Sequence, residues 1–218
     1  MTNEVVHNFC ESRLNNNNPP ELFNSYTSLF ITIIPLIYGL PQNIIFFNIT
    51  TMLIFNGFAS FYYHYTLTWI GKQADEMSMI LSTYFGICGL TKLLYITNCK
   101  NKKIIFGINN IFMLLFLIFN TDENTDRFFP YLFSIYISIV LVLIHKVSNK
   151  YKNINNHQDN CNYKYELLIS SIGAICWIIS ELFCNKYTKF GHVLWHLLFP
   201  LGFYKLILKF DNILINYQ

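Results

Sequence analysis

The chain has 218 residues, of which 53% are hydrophobic and only 12% are charged, and the apolar residues fall in long unbroken runs. This composition excludes a soluble domain and predicts an integral membrane protein. The formal net charge of +3 comes mostly from lysines beside these runs. It therefore bears on membrane topology, and no nucleic-acid partner is expected.

The apolar runs predict the fold. A run of about 18 apolar residues can cross a bilayer as a helix, and backbone in lipid satisfies its hydrogen bonds only as a helix or a closed barrel. Seven runs lie near residues 25–41, 43–69, 77–98, 103–120, 128–146, 165–184 and 190–208. None alternates as barrel strands do. We predict an all-α membrane protein, a seven-transmembrane helix bundle.

The polar ends of the chain frame one predicted membrane domain. Residues 1–24 form a polar amino-terminal tail, residues 25–210 the bundle, and residues 211–218 a short carboxy-terminal tail. We expect no cleavable signal peptide, so the first span acts as its own anchor. Lysine and arginine are more numerous in the segments that share a face with the carboxyl terminus. This predicts a lumenal or extracytoplasmic amino terminus and a cytoplasmic carboxyl terminus.

Polar residues of three predicted spans share one membrane face. With seven alternating spans, the end of the second, the start of the third and the start of the seventh lie on the same side, whichever way the protein is inserted. These places carry Ser60 and His64, then Asp75, then His192 and His196. Residues four apart share a helix face, so each pair points toward the space between helices two and seven.

Three histidines with an open fourth position are the pattern of a catalytic zinc site. Zinc lowers the pKa of a bound water to about 7 and polarises a carbonyl. Asp75 would orient or deprotonate that water, and Ser60 would donate a hydrogen bond to the oxyanion.

Plainer interpretations exist for each residue taken alone. A membrane histidine commonly bonds between helices, and an H-x-x-x-H pair is a weak motif. Asp75 and Glu76 could simply be acidic residues at the start of a helix at the membrane interface, where the helix dipole favours negative charge. Ser60 suits a packing position between helices. The coincidence of all five residues on one face favours the metal site.

Four segments of the chain form a recognisable series. They are Phe9-Cys10-Glu11 with Glu21-Leu22-Phe23-Asn24-Ser25, the S-x-x-x-H of Ser60 to His64, Asp75-Glu76-Met77-Ser78-Met79, and Gly191-His192-Val193-Leu194-Trp195-His196. In order, spacing and span placement the series resembles the alkaline ceramidase family. That family lies within the wider group of seven-span membrane hydrolases that includes the progestin and adiponectin receptors.

The resemblance implies a role for each residue of the series. His64, His192 and His196 would bind zinc, Asp75 would assist the water, and Ser60 would stabilise the oxyanion. The substrate would be the amide of ceramide, or a related lipid, in an endomembrane such as the endoplasmic reticulum or Golgi, and no obligate protein partner is expected. By the same resemblance Cys10 and Cys184 would form a disulfide.

The resemblance also implies a calcium site in the tail, with departures. The family pattern is D-W-C-E-x-N followed by a glutamate before the first span. Glu11 and Glu21 keep two hard oxygen ligands, and Phe9 offers a backbone carbonyl. Asn8 replaces a carboxylate, however, and Arg13 brings a positive charge where an oxygen is expected. The alternative is an ordinary acidic tail.

Two further functions stay open at the level of the sequence. One is a seven-span lipid or steroid receptor that keeps the metal as a structural element. The other is a hydrolase of another lipid amide or ester.

Overall fold

The computed structural model describes residues 9–14, 18–95, 99–119, 128–154 and 163–216, and these residues contain no strand. They form eight α-helices and a short 3-10 helix at Thr188–Phe190. The helices are α1 (Cys10–Leu14), α2 (Leu22–Tyr38), α3 (Ile44–Thr66), α4 (Trp69–Leu94), α5 (Cys99–Phe119), α6 (Phe128–Ile154), α7 (Lys164–Leu182) and α8 (Gly191–Asn216). The predicted all-α fold is confirmed.

The helices have the lengths and surfaces of membrane spans. Six, α3 to α8, are long and apolar enough to cross a bilayer, whereas α2 is a shorter apolar helix of 17 residues. That length is at the lower end of the range of about 17 to 25 residues for a spanning helix. Large apolar side chains stand outward, including Leu36 at 70% exposure and Leu182 at 71%. Such outward aliphatic surface suits contact with lipid.

Glycines let the site-bearing helices approach closely. A Cβ atom on Gly57 of α3 would collide with Thr32 of α2, and one on Gly191 of α8 would collide with the backbone of Cys176 in α7. Gly71 of α4 lies against the backbone of Tyr63 in α3, where a Cβ atom would come within 2.8 Å of the Tyr63 Cα. Small residues at helix contacts are a common packing device in membrane proteins. Here they allow close approach of α3 to α2, of α4 to α3 and of α8 to α7.

Two helix boundaries differ from the sequence-based prediction. Helix α4 begins at Trp69, well before the predicted start near residue 77, and therefore contains Asp75. Its first turns carry Lys72 and Glu76, an i,i+4 ion pair, so the unbroken apolar run begins later than the helix does. Only two residues connect α3 to α4: Leu67, which adopts a left-handed φ of 48°, and Thr68, the N-cap of α4.

The last helix extends beyond the predicted end of the membrane domain at residue 210. Helix α8 continues to Asn216. Buried Asp211 accepts hydrogen bonds from the backbone N–H groups of Gln42 (2.8 Å) and Asn43 (2.9 Å) just before α3. The end of α8 is therefore tied to the start of α3, so packing continues past the predicted boundary.

Candidate metal and catalytic site

The three predicted histidines meet at one end of the bundle. His64 comes from the last turns of α3, and His192 and His196 from the first turns of α8. Their candidate ligand atoms all lie within 4.8 Å of one another, and the three residues are only 1% to 4% exposed. The ring centroids are separated by 4.7 to 5.1 Å. Three buried imidazoles so placed could hold one metal ion.

The outer nitrogen of each imidazole lies near an oxygen of another segment. His64 Nδ1 lies 2.6 Å from Glu21 Oε2, and His192 Nδ1 lies 3.8 Å from Glu181 Oε1. His196 Nδ1 lies 3.1 Å from the hydroxyl of Thr27 in α2. For His64 and His196 the oxygen is at hydrogen-bond distance and favours the tautomer in which the other ring nitrogen is the ligand, whereas the Glu181 oxygen is only an ion-pair neighbour of His192.

Glu21 is a buried carboxylate with several donors. Burial raises its pKa, but hydrogen bonds with His64 and Ser12 and the nearby imidazoles of His64 and His192 together hold that pKa below its ordinary value. Glu21 is therefore ionised at neutral pH. It is the N-cap residue of α2 and gives no side-chain cap to its own helix, so its carboxylate is left to contact His64.

Asp75 and Ser60 lie beside the histidines. The amide of Asn56 donates to Asp75 Oδ1 at 2.8 Å and lies 2.9 Å from Ser78 Oγ. Ser60 lies beside Asp75, and its hydroxyl accepts a hydrogen bond from that of Ser28 at 3.1 Å. The carboxylate is thus held by a donor from α3 and lies in the same cavity wall as the histidines.

Asn56 was missed in the sequence, although a signal for it exists. Asn56, Ser60 and His64 are spaced by four residues and form one polar stripe along the buried face of α3. Glu181, in contrast, is a single acid near the end of an apolar helix. Only the fold brings it next to His192.

The amino-terminal segment packs over the histidines. A disulfide joins Cys10 to Cys184 across 174 residues of sequence. The ring of Phe9 lies 4.5 Å from that of His192 and 5.0 Å from that of His64, measured between centroids. Arg13 donates to Glu181 Oε2 at 2.7 Å. These contacts cover the site on the side away from the bundle core.

The residues of this segment that are predicted to bind calcium contact other protein groups in the described structure, and calcium binding there stays a prediction. Glu11 accepts the backbone N–H groups of Phe23 (2.8 Å) and Asn24 (2.9 Å), so it caps α2. The carboxylate of Glu21 is engaged by its donors and His64, and Arg13 brings a cation where a ligand was expected. Calcium takes six to eight oxygens. Asn8, the remaining predicted residue, lies outside the described residues.

A cavity of about 410 Å³ adjoins the site. Asn56, Ser60, Asp75 and the three histidines lie in its wall, together with aromatic and aliphatic side chains from α2, α3, α4, α6, α7 and α8. The principal apolar members are Ile31, Leu53, Met79, Phe129, Phe133, Ile137, Trp177, Trp195, Phe199 and Phe203. A mostly apolar wall with a cluster of polar groups at one place suits a lipid with one reactive polar centre.

The proteins that this chain resembles all belong to one family. A family model described as Ceramidase matches residues 3–218. Alkaline ceramidase 1 of Mus musculus is 22% identical over 209 residues, covering 89% of this chain and 75% of that protein. The alkaline ceramidase of Caenorhabditis elegans is 25% identical over 230 residues, covering 96% and 82% respectively. Alkaline ceramidase 1 of Homo sapiens is 20% identical over 196 residues, covering 84% and 72%. Because the family model matches almost the whole length, the chain belongs to the ceramidase family.

Proposed function

We propose that this protein is a zinc-dependent membrane amidase that hydrolyses ceramide to a sphingoid base and a free fatty acid. The observation that carries the proposal is the convergence of three buried imidazoles beside Asp75, in the wall of a largely apolar cavity. Membership of the ceramidase family and the names of the relatives support the choice of substrate.

The donor set fits zinc. His64, His192 and His196 are neutral-nitrogen ligands of the kind that catalytic zinc sites use, and three protein ligands leave a position for water or substrate. Glu21, Glu181 and Thr27 would orient the ligand rings from outside. When bound, zinc would activate a water molecule and polarise the amide carbonyl.

Asp75 would act as the general base. Its carboxylate takes a proton from the attacking water as the water oxygen bonds to the amide carbon, which leaves a tetrahedral intermediate with a negatively charged oxygen. Asn56 holds the carboxylate in place before this step. Asp75 then returns the proton to the amide nitrogen, the carbon–nitrogen bond breaks, and the amine and the fatty acid leave.

Ser60 would serve the developing oxyanion. Its hydroxyl lies beside the Asp75 carboxylate and would donate to it before proton transfer. Once Asp75 is protonated, its neutral carboxyl group is a weaker hydrogen-bond acceptor. The Ser60 hydroxyl can then turn to the charged oxygen of the intermediate. A donor that acts only when charge develops lowers the barrier without tightening the ground state.

The disulfide supports the predicted orientation. Disulfides persist in oxidising compartments and are rare in the cytosol. The Cys10 to Cys184 bond lies at the same end of the bundle as the histidines. We therefore infer that this end, with the amino terminus, faces the lumen of an endomembrane compartment or the cell exterior.

Purified protein incubated with acyl-labelled ceramide tests the proposed function. Fatty acid should be released, release should stop after zinc is stripped with a chelator, and readdition of zinc should restore it. A receptor that keeps the metal for structure would bind lipid and release no acid. Equal turnover before and after complete removal of the metal would contradict the proposed mechanism.

A further inference from the structure

Among the buried side-chain atoms that lack a hydrogen-bond partner in the described residues, two oxygens belong to the wall of the cavity. They are the hydroxyl of Tyr63 and the Oε2 atom of Glu76. Tyr63 is 2% exposed and Glu76 is 7% exposed. Leaving such a group unsatisfied costs roughly 1 to 3 kcal/mol, and native structures keep few of them. Their position suggests that a ligand completes them.

Glu76 offers a carboxyl oxygen as a hydrogen-bond acceptor in the cavity wall. Its Oε1 atom lies 3.6 Å from Lys72 Nζ one turn earlier on α4, and both side chains are largely buried. The lysine compensates the charge of the carboxylate. Since Oε1 is turned to Lys72, Oε2 is the oxygen left to form a hydrogen bond with a ligand.

Both residues flank the reaction centre without belonging to it. Tyr63 precedes His64 on α3, and Glu76 follows Asp75 on α4. The ring of Tyr63 stacks on that of His64 with 5.4 Å between centroids. The hydrolysis proposed above assigns neither residue a step, so the two groups are available for the rest of the substrate.

The substrate class carries matching chemistry. In ceramide the carbonyl is the reacting group, and the other polar groups near it, the two hydroxyls and the amide N–H, all belong to the sphingoid base. We propose that Tyr63 and Glu76 form the subsite that binds the sphingoid-base hydroxyls, with Lys72 holding the Glu76 carboxylate in place. This inference rests on the proposed function and assigns specificity to these residues.

Analogues that lack one hydroxyl test the subsite. We would measure kcat/KM for ceramide, for its analogue without the primary hydroxyl and for its analogue without the secondary hydroxyl. The wild-type protein should disfavour at least one analogue by roughly tenfold to a hundredfold, the scale of a buried polar group left unpaired by the missing hydroxyl. In the double variant Lys72→Met with Glu76→Met this preference should shrink to within about twofold, because the acceptor is gone. Replacing both partners leaves no buried unpaired charge, so this variant should fold.

Matched controls separate recognition from general damage. Tyr63→Phe should reduce the same preference, whereas Tyr136→Phe removes a buried hydroxyl that bonds to the Asn109 carbonyl elsewhere in the bundle. Ser134→Ala removes a hydroxyl from the cavity wall that already donates to the Pro130 carbonyl. Both controls should keep the wild-type ratio of kcat/KM between ceramide and each analogue.

A binding measurement distinguishes failure of this inference from failure of the proposed function. Trp177 and Trp195 line the cavity, so intrinsic fluorescence should respond to ceramide and its analogues without turnover. If the wild-type protein releases no fatty acid but binds ceramide more tightly than an analogue, and the double variant does not, the subsite stands and the amidase proposal fails. If the wild type hydrolyses ceramide but treats both analogues as equals, or the double variant keeps the full preference, the subsite is wrong.

Discussion

His64 Nδ1 and Glu21 Oε2 lie 2.6 Å apart although the residues are 43 positions apart in sequence. The contact joins the end of α3 to the N-cap residue of α2. A buried carboxylate at this nitrogen directs the other ring nitrogen toward His192 and His196 and makes it a better ligand. The carboxylate that the family pattern suggests for calcium therefore contacts a candidate zinc ligand.

Glu21→Gln should weaken zinc binding by roughly tenfold to a hundredfold, because the neutral amide supports the imidazole less well. A competition titration with a chelating dye measures this. Glu166→Gln is the matched control, since Glu166 is a buried carboxylate that pairs with Lys209 on α8. Equal zinc affinity in the wild type and Glu21→Gln would remove Glu21 from the support of the metal.

Alanine at any one of the three histidines should lower the zinc content and abolish turnover, because two imidazoles are too few for a catalytic zinc site. Elemental analysis of the purified variants gives the content. His145→Ala is the control, since His145 is exposed and bonds to the Tyr163 hydroxyl. Full zinc occupancy in His196→Ala would show that this residue is not a ligand.

Asp75→Asn should keep zinc and lose turnover by on the order of a hundredfold or more, the scale for a lost general base. Asparagine preserves the size of the side chain and an acceptor for Asn56. Zinc content and kcat are measured on the same preparation. Loss of zinc would instead make Asp75 a ligand, and wild-type turnover would refute its role as the base.

Calcium should leave the activity of the wild-type protein unchanged, because hydrogen bonds and the Arg13 to Glu181 ion pair hold the amino-terminal segment. The double variant Asn8→Asp with Arg13→Asn restores the family pattern and should gain a calcium response. Activity is titrated with calcium from a chelated starting solution. A rise in wild-type activity with calcium would show that Glu11 and Glu21 still form a site.

Reduction of the disulfide should lower the activity and the stability of the protein, because it releases the segment that covers the histidines. The Cys10 to Cys184 bond closes a loop across 174 residues, and losing a native disulfide typically costs about 2 to 5 kcal/mol. Dithiothreitol should therefore lower both turnover and the thermal midpoint of the wild type. A Cys10→Ser, Cys184→Ser double variant should no longer respond to it. Replacing Cys88 and Cys176, which are free cysteines, should preserve the response; a wild type indifferent to reductant would contradict the prediction.

The sequence by itself determined the all-α class and the end of the bundle at which the polar residues meet. Long apolar runs leave the backbone little choice but helix, and alternation of spans places His64, Asp75 and His192 on one face without any knowledge of packing. The four-residue spacing of His192 and His196 also follows from helix geometry alone. These are local properties, and local physics decides them.

Only the tertiary structure decided which groups support that site. Glu181 reaches His192 because α7 and α8 pack closely around Gly191, and Glu21 reaches His64 because Glu11 caps the start of α2. The early start of α4 also escaped prediction, since its first turns bury polar residues. Such contacts depend on side chains that are distant in sequence and brought together by packing, and no periodicity within one segment records them.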